Sequence, residues 1–86
     1  MLQRIKRMTS HAGYARYLAE CEDTPFSIPK QTDIPSPSYF GQSHTVFTYN
    51  NRHVIIVETM HKRYDVFAVP STLLQPRDDI AQETAL

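Results

Sequence analysis

The chain lacks the cysteines that disulfides and metal sites, which commonly stabilise small proteins, would need. Its 86 residues contain one cysteine, Cys21, so no disulfide can form within the chain and a zinc site would have a single thiolate ligand. A lone free thiol is typical of a reducing compartment, which predicts a cytoplasmic protein. Because a chain of this size buries only about 60% of its unfolded surface, it usually needs a staple or a partner.

Glycine and long apolar runs are also scarce. The only glycines are Gly13 and Gly41, so no phosphate-cradling loop of the P-loop or dinucleotide-binding type can be written. The longest aliphatic run, residues 54–57, is far shorter than the roughly 20 residues of a membrane helix. No apolar segment follows the basic start MLQRIKRM, as a secretory signal would require. We therefore expect a soluble intracellular chain with no membrane partner.

Groupings of catalytic or metal-binding residues are missing as well. The four histidines do not pair at the i, i+4 spacing of a helical metal site. On a strand, His53 and His61 would lie roughly 26 Å apart. On a helix, His11 and Cys21 would lie about 15 Å apart, too far for a nucleophile and its base. The sequence predicts no enzyme activity, no metal and no cofactor.

An amphipathic helix is predicted over residues 9–23. Its apolar stripe follows the i, i+3, i+4, i+7 pattern and consists of Tyr14, Tyr17, Leu18 and Cys21. Thr9 or Ser10 is a suitable N-cap, and Pro25 disfavours helical backbone at the residue before it. Residues 1–8 are predicted to be a short or frayed basic segment, because their apolar positions fall on another side of the helical wheel.

Residues 44–69 are predicted to form a three-stranded antiparallel meander. Asn50 and Asn51 suit a two-residue turn, since asparagine tolerates positive φ, and residues 61–63 would form the second turn. One face then carries Phe47, Tyr49, Val54, Ile56, Met60, Tyr64 and Val66. The other face carries Val46, Ile55, Val57, Phe67 and Val69, with His44 and His53. Both faces are apolar, although a single helix covers only one.

The remaining segments offer a cover for the second face. Residues 24–43 contain four of the six prolines and are predicted to be extended, with apolar anchors at Phe26, Ile28, Ile34, Tyr39 and Phe40. Residues 70–86 are predicted to be an acidic, partly flexible tail. The second face is covered by the proline-rich segment, by a second copy of the chain, or by another protein. These alternatives stay open at the level of sequence.

The predicted fold class is therefore α+β. One N-terminal helix packs on a three-stranded antiparallel β-meander, and the proline-rich extended segment lies between them. Residues 1–86 are expected to form a single small domain.

The leading functional prediction is a non-enzymatic protein-binding module, a small regulator or inhibitor that docks on a larger protein. It follows from two apolar sheet faces in a chain without catalytic groupings. Tyrosine and arginine are common at the energetic centre of protein interfaces. The candidate contact residues are Tyr39, Phe40, Lys62, Arg63, Tyr64 and Phe67.

The alternative is a small nucleic-acid-binding regulator. Nine Lys and Arg balance nine Asp and Glu, so no overall basic field exists, but the first nineteen residues carry four cations and no acid. The candidate phosphate contacts are Arg4, Lys6, Arg7, Arg16, Lys62 and Arg63. A second alternative is a structural subunit of a homo-oligomer or larger assembly.

Overall fold

The computed structural model describes residues 2–34, 43–59 and 61–77. These residues form one α helix and a six-stranded antiparallel sheet with the strand order β1-β5-β4-β3-β2-β6. The elements are β1 (Gln3–Met8), α1 (His11–Glu20), β2 (Glu22–Pro29), β3 (Ser43–Tyr49), β4 (Arg52–Glu58), β5 (Tyr64–Ala68) and β6 (Gln75–Pro76). A short 3-10 helix at Ser71–Leu73 precedes β6.

The predicted fold class is wrong in the extent of the sheet. The three meander strands exist as β3, β4 and β5, but they are the centre of a sheet of six strands. β1 pairs with β5, β2 pairs with β3, and the two-residue β6 pairs with β2. The segments predicted as a frayed N-terminus, a proline-rich extension and a flexible tail each contribute a strand.

Most of the segment predicted to be frayed forms the strand β1. A bulge changes which of its side chains share a face of the sheet, so that its apolar residue Met8 faces the core. The register with β5 shifts between Arg4 and Lys6, which leaves Ile5 without a partner residue across the ladder. A bulge adds one residue to a strand and so changes which side chains share a face. Met8 is thereby placed opposite Tyr64, and both side chains are buried in the same core.

β2 contains Pro25, whose residue type argues against a regular central strand. The pairing with β3 is irregular between Asp23 and Ser27, and Pro25 lies inside that irregular stretch. Its missing N–H therefore removes no regular ladder bond. The Thr24 hydroxyl donates instead to the Val46 carbonyl at 2.6 Å, which ties the irregular stretch to β3.

The helix is shorter than predicted. Ser10 is the N-cap, and its Oγ accepts a hydrogen bond of 3.0 Å from the Gly13 N–H, which satisfies one free donor of the first turn. The predicted helix over 9–23 ends early, at Glu20, because Cys21 already has extended backbone angles and β2 begins at Glu22.

The hairpins keep the predicted faces. Asn50 and Asn51 have φ values of 53° and 63°, and Tyr49 lies opposite Arg52, so the two-residue turn is confirmed. In the second hairpin Glu58 lies opposite Tyr64, whereas the prediction set Met60 there, and Met60 lies outside the described residues. The error is two residues, an even number, so the described side chains of β4 and β5 stay on their predicted faces.

The two apolar faces of the sheet are confirmed. The helix face, which α1 covers, has a buried core of Met8, Tyr17, Val54, Tyr64 and Val66. The loop face has a buried core of Ile28, Ile34, Val46, Ile55, Val57, Phe67 and Val69. Leu2, Phe26, Leu73 and Leu74 pack against the loop-face core, so parts of the chain itself cover the second face.

Candidate functional site

The aromatic residues predicted to contact a protein partner are not on the described surface. Tyr64 and Phe67 are only 9% and 8% exposed and belong to the helix-face and loop-face cores respectively. Tyr39 and Phe40 lie outside the described residues. Only Lys62 and Arg63 of the predicted set are both described and exposed, on the turn between β4 and β5.

The basic residues of the nucleic-acid alternative are, in contrast, all exposed. Arg4, Lys6 and Arg7 lie on β1, and we call these three residues the basic edge. The turn that carries Lys62 and Arg63 adjoins the end of β1, because Met8 pairs with Tyr64, the first residue after that turn. The remaining cation, Arg16, lies on α1.

One buried carboxylate organises the basic edge. Arg7 Nε and Nη2 donate to the two Asp65 carboxylate oxygens at 2.7 and 3.1 Å, and Arg4 Nη1 lies 3.8 Å from the same carboxylate. The hydrogen bonds from Arg7 lower the pKa of Asp65, and the charges of Arg7, Arg4 and Arg63 act in the same direction against the effect of burial. Three arginines thus surround one acid, and the surface keeps an excess of positive charge.

Asp65 is a residue that the sequence reasoning missed. It is only 6% exposed and interrupts the otherwise apolar strand YDVFA. An acid inside a buried strand requires a partner, because an unpaired buried charge is very costly. That single position is a usable signal that a cation must lie on the neighbouring strand.

β1 is also an edge strand, with β5 as its only neighbour in the described sheet. Its first five residues are exposed and only Met8 is buried. An edge strand presents backbone N–H and C=O groups that no strand pairs. Ile5, at 37% exposure, is the one large apolar residue that is exposed among the described residues, and it lies in the middle of this edge.

The opposite edge differs in both charge and cover. β2 begins with Glu22 and Asp23 and carries no cation. β6 pairs with its second half, and the Arg77 N–H donates to the Pro25 carbonyl at 3.0 Å. Arg77 also contacts the Asp23 carboxylate at 2.8 Å. This edge is acidic and partly closed.

Stacked tyrosines hold α1 to the sheet between these edges. Tyr14 stacks on Tyr64 with ring centroids 4.1 Å apart, and Tyr17 stacks on Tyr49 at 4.0 Å. The Tyr49 hydroxyl donates to Glu20 at 3.1 Å. All four tyrosines of the described chain are used in these pairs, so their rings serve packing.

A cavity of about 350 Å³ opens on the helix face beside α1. Tyr17 and Tyr49 form one wall, and Lys6 and Arg52 supply its charged groups. Sequence reasoning missed Arg52, because nothing in the sequence shows that the start of β4 and part of β1, which β5 separates in the sheet, line one cavity.

In the described parts of the chain, no three His, Cys, Asp or Glu side chains converge as a metal site would require. No helix in those parts is both long and apolar enough to cross a membrane.

Comparisons with protein families, with curated proteins and with solved structures find no match to this chain, so its function has to be argued from the basic edge and its surroundings.

Proposed function

We propose that this chain is a non-enzymatic, cytoplasmic protein-binding module, a small regulator or inhibitor that takes up an acidic, extended segment of a larger protein along β1. The observation that carries the proposal is the basic edge itself. Its three cations lie on β1, an edge strand of six residues of which the first five are exposed.

Strand addition suits this geometry. An extended peptide gains affinity from main-chain hydrogen bonds to an exposed edge, and its side chains supply specificity. Arg4 and Arg7 pair in register with Phe67 and Asp65 on the loop face, whereas Lys6 pairs with Val66 on the helix face. Acidic side chains on either face of an added strand would therefore meet a cation.

The same charges oppose pairing between two copies of β1. Like charges placed opposite each other on neighbouring strands are destabilising, and the bulge at Ile5 further disturbs a regular ladder. A repulsive element against the wrong partner is a common source of specificity. The basic edge thus favours an acidic partner over a homodimer formed through this strand.

The nucleic-acid alternative has less support. Stacking of bases on aromatic rings contributes strongly to binding of single strands, but the described tyrosines are stacked on one another. The numbers of cations and acids are equal over the whole sequence. Because acidic-peptide binding and phosphate binding both weaken with salt, a direct competition separates the two functions. The nucleic-acid alternative predicts that a single-stranded oligonucleotide binds more tightly than the acidic peptide at the same salt concentration, and the proposed function predicts the reverse.

The test is a titration with an acidic peptide of about eight residues, the length of an ordinary strand, in which glutamate alternates with valine. A peptide of the same length with lysine in place of glutamate is the control of opposite charge. We expect the acidic peptide to bind and the basic one not to bind. Lys6→Glu should weaken the acidic peptide at least about tenfold, a loss of about 1.4 kcal/mol.

Lys30→Glu is the control variant, because Lys30 is an exposed cation just after β2, far along the sheet from β1. Equal binding of the two peptides, or equal losses in the Lys6 and Lys30 variants, would contradict the proposal.

A further inference from the structure

α1 does not cover the whole helix face of the sheet. The uncovered area lies between α1, β1 and the turn joining β3 to β4, where the cavity of about 350 Å³ is found. Ile5 and the Tyr49 ring give it an apolar lining, whereas the lining residue Val54 is fully buried.

The charged groups of the cavity are of one sign. Lys6 and Arg52 line it, and no described carboxylate does. Neither cation makes an ion pair with a described residue, since the ion pairs there involve Arg4, Arg7 and Arg77. The Lys6 Nζ lies 6.0 Å from the centre of the Tyr17 ring, so the cation is held over the cavity wall.

A neutral donor accompanies the two cations. The Tyr17 side chain lines the cavity, and its hydroxyl makes no hydrogen bond to another residue of the described chain. Burial raises the pKa of Tyr17 to about 12, although the nearby Arg52 charge acts in the opposite direction. The hydroxyl therefore keeps its proton at neutral pH and is able to donate it to a ligand oxygen.

We propose that this cavity binds a small organic anion, with a phosphate or carboxylate group between Lys6 and Arg52 and an apolar body against Ile5 and the Tyr49 ring. Charge-assisted hydrogen bonds are the strong ones, and arginine matches such oxyanions with its planar fork. The volume is at the small end of the range for ligand pockets, about 300–1,000 Å³, which fits a metabolite-sized molecule. This site goes beyond the proposed protein-binding function and uses Arg52, which lies on β4 and not on the basic edge.

The test is a titration with phenyl phosphate, in which binding is measured by calorimetry and by changes in the amide chemical shifts. Inorganic phosphate and phenol are the matched arms, since each keeps one half of the probe. We expect saturable binding of phenyl phosphate, weaker binding of inorganic phosphate and none of phenol. Binding of inorganic phosphate as tight as that of phenyl phosphate would overturn the apolar part of the site.

Two variants locate the site. Arg52→Gln should weaken phenyl phosphate at least tenfold, and Tyr17→Phe should weaken it severalfold while keeping the stacked ring. Lys30→Gln is the control and should bind as the unaltered chain does. Absence of saturable binding, or unchanged binding by a folded Arg52→Gln variant, would overturn the proposal. Lys6 belongs to both sites, but Arg52 lies outside the basic edge. The Arg52→Gln result with phenyl phosphate therefore tests this site separately, whether or not the acidic peptide binds.

Discussion

The two edges of the sheet are protected against unwanted strand pairing in different ways. At one edge, β2 carries two acids and no cation, and it is partly paired by β6. At the other edge, β1 carries three cations and no acid, and no described strand pairs with its outer side. An unpaired edge is a template for aggregation unless charge, a bulge or a cover protects it.

The same residues can protect a sheet edge from aggregation and recognise a partner strand. The acidic edge is protected in part by cover, because β6 and Arg77 pair with the middle of β2. The basic edge is protected by like charge and by the bulge at Ile5, and like charge excludes a second β1 but not an acidic strand. The open edge is therefore the place where a partner of opposite charge gains most.

The largest expected effect concerns the strand behind the basic edge. Phe67 is 8% exposed in the loop-face core, so Phe67→Glu should destabilise the fold by more than about 3 kcal/mol through lost packing and a buried charge. Urea denaturation followed by circular dichroism measures it. Lys62→Glu, on the exposed turn, is the control. A folded Phe67→Glu variant of near-normal stability would show that this residue is a surface contact.

The next effect concerns the ion pair that fastens β1 to β5. Asp65→Asn keeps the size of the side chain but removes the charge that Arg7 contacts through two hydrogen bonds. Hydrogen bonds to charged groups contribute about 2 kcal/mol, so the free energy of unfolding should fall by about that amount. The amides of β1 should also exchange faster with solvent. Unchanged exchange in β1 would show that Asp65 does not fasten the edge.

The same ion pair predicts a dependence on acid. The folded-state pKa of Asp65 lies below its usual value, so its stabilisation is present above the unfolded pKa, about 3.9, and is lost as the pH falls through the folded pKa. The unaltered chain should lose stability in this acidic range more steeply than Asp65→Asn does. Parallel losses in the two proteins, measured by urea denaturation at each pH, would contradict this.

An alkaline dependence is expected in the helix that joins the two edges. The folded-state pKa of Tyr17 is raised to about 12, chiefly by burial, against about 10 in an unfolded chain. Its stabilisation is therefore present below pH about 10 and is lost as the pH rises towards about 12. Ultraviolet absorbance of tyrosinate should show a late-titrating group that disappears in Tyr17→Phe. Persistence of that group in the variant would assign it to another tyrosine.

The smallest effect is expected at the acidic edge. The Asp23 side chain is 67% exposed in its contact with Arg77, and exposed ion pairs contribute less than about 1 kcal/mol. Asp23→Asn should therefore change the free energy of unfolding by less than that, because β6 still pairs with β2. A loss as large as that of Asp65→Asn would show that the two edges are fastened equally strongly.

The centre of the sheet could be predicted from sequence because its signals are local. Val54 to Val57 form a continuous apolar run, and Asn50-Asn51 suits a turn with positive φ. The turn at Asn50-Asn51 fixes the pairing of β3 with β4. The predicted turn between β4 and β5 was two residues too short, and only its parity was right, so the side chains still share the predicted faces. Of the two predicted capping residues, Thr9 and Ser10, the N-cap is Ser10.

The outer strands could not be predicted because charged residues, a bulge and a proline interrupt the sequence pattern that is typical of a strand. In β1, the basic residues and the bulge at Ile5 hide the alternation of a strand. In β2, Pro25 argues against a strand until the irregular pairing around it is known. The residues around Asp65 and Arg52 are set by the pairing of β1 with β5, two strands that are far apart in the sequence. No local sequence pattern predicts this pairing.

The most direct measurement is amide hydrogen exchange of the full chain with and without the acidic peptide. We expect slower exchange at the outward-facing amides of β1, no change at β6, and loss of the effect in Lys6→Glu. Protection confined to another part of the molecule, or no protection at saturating peptide, would contradict the assignment of the basic edge as the binding surface.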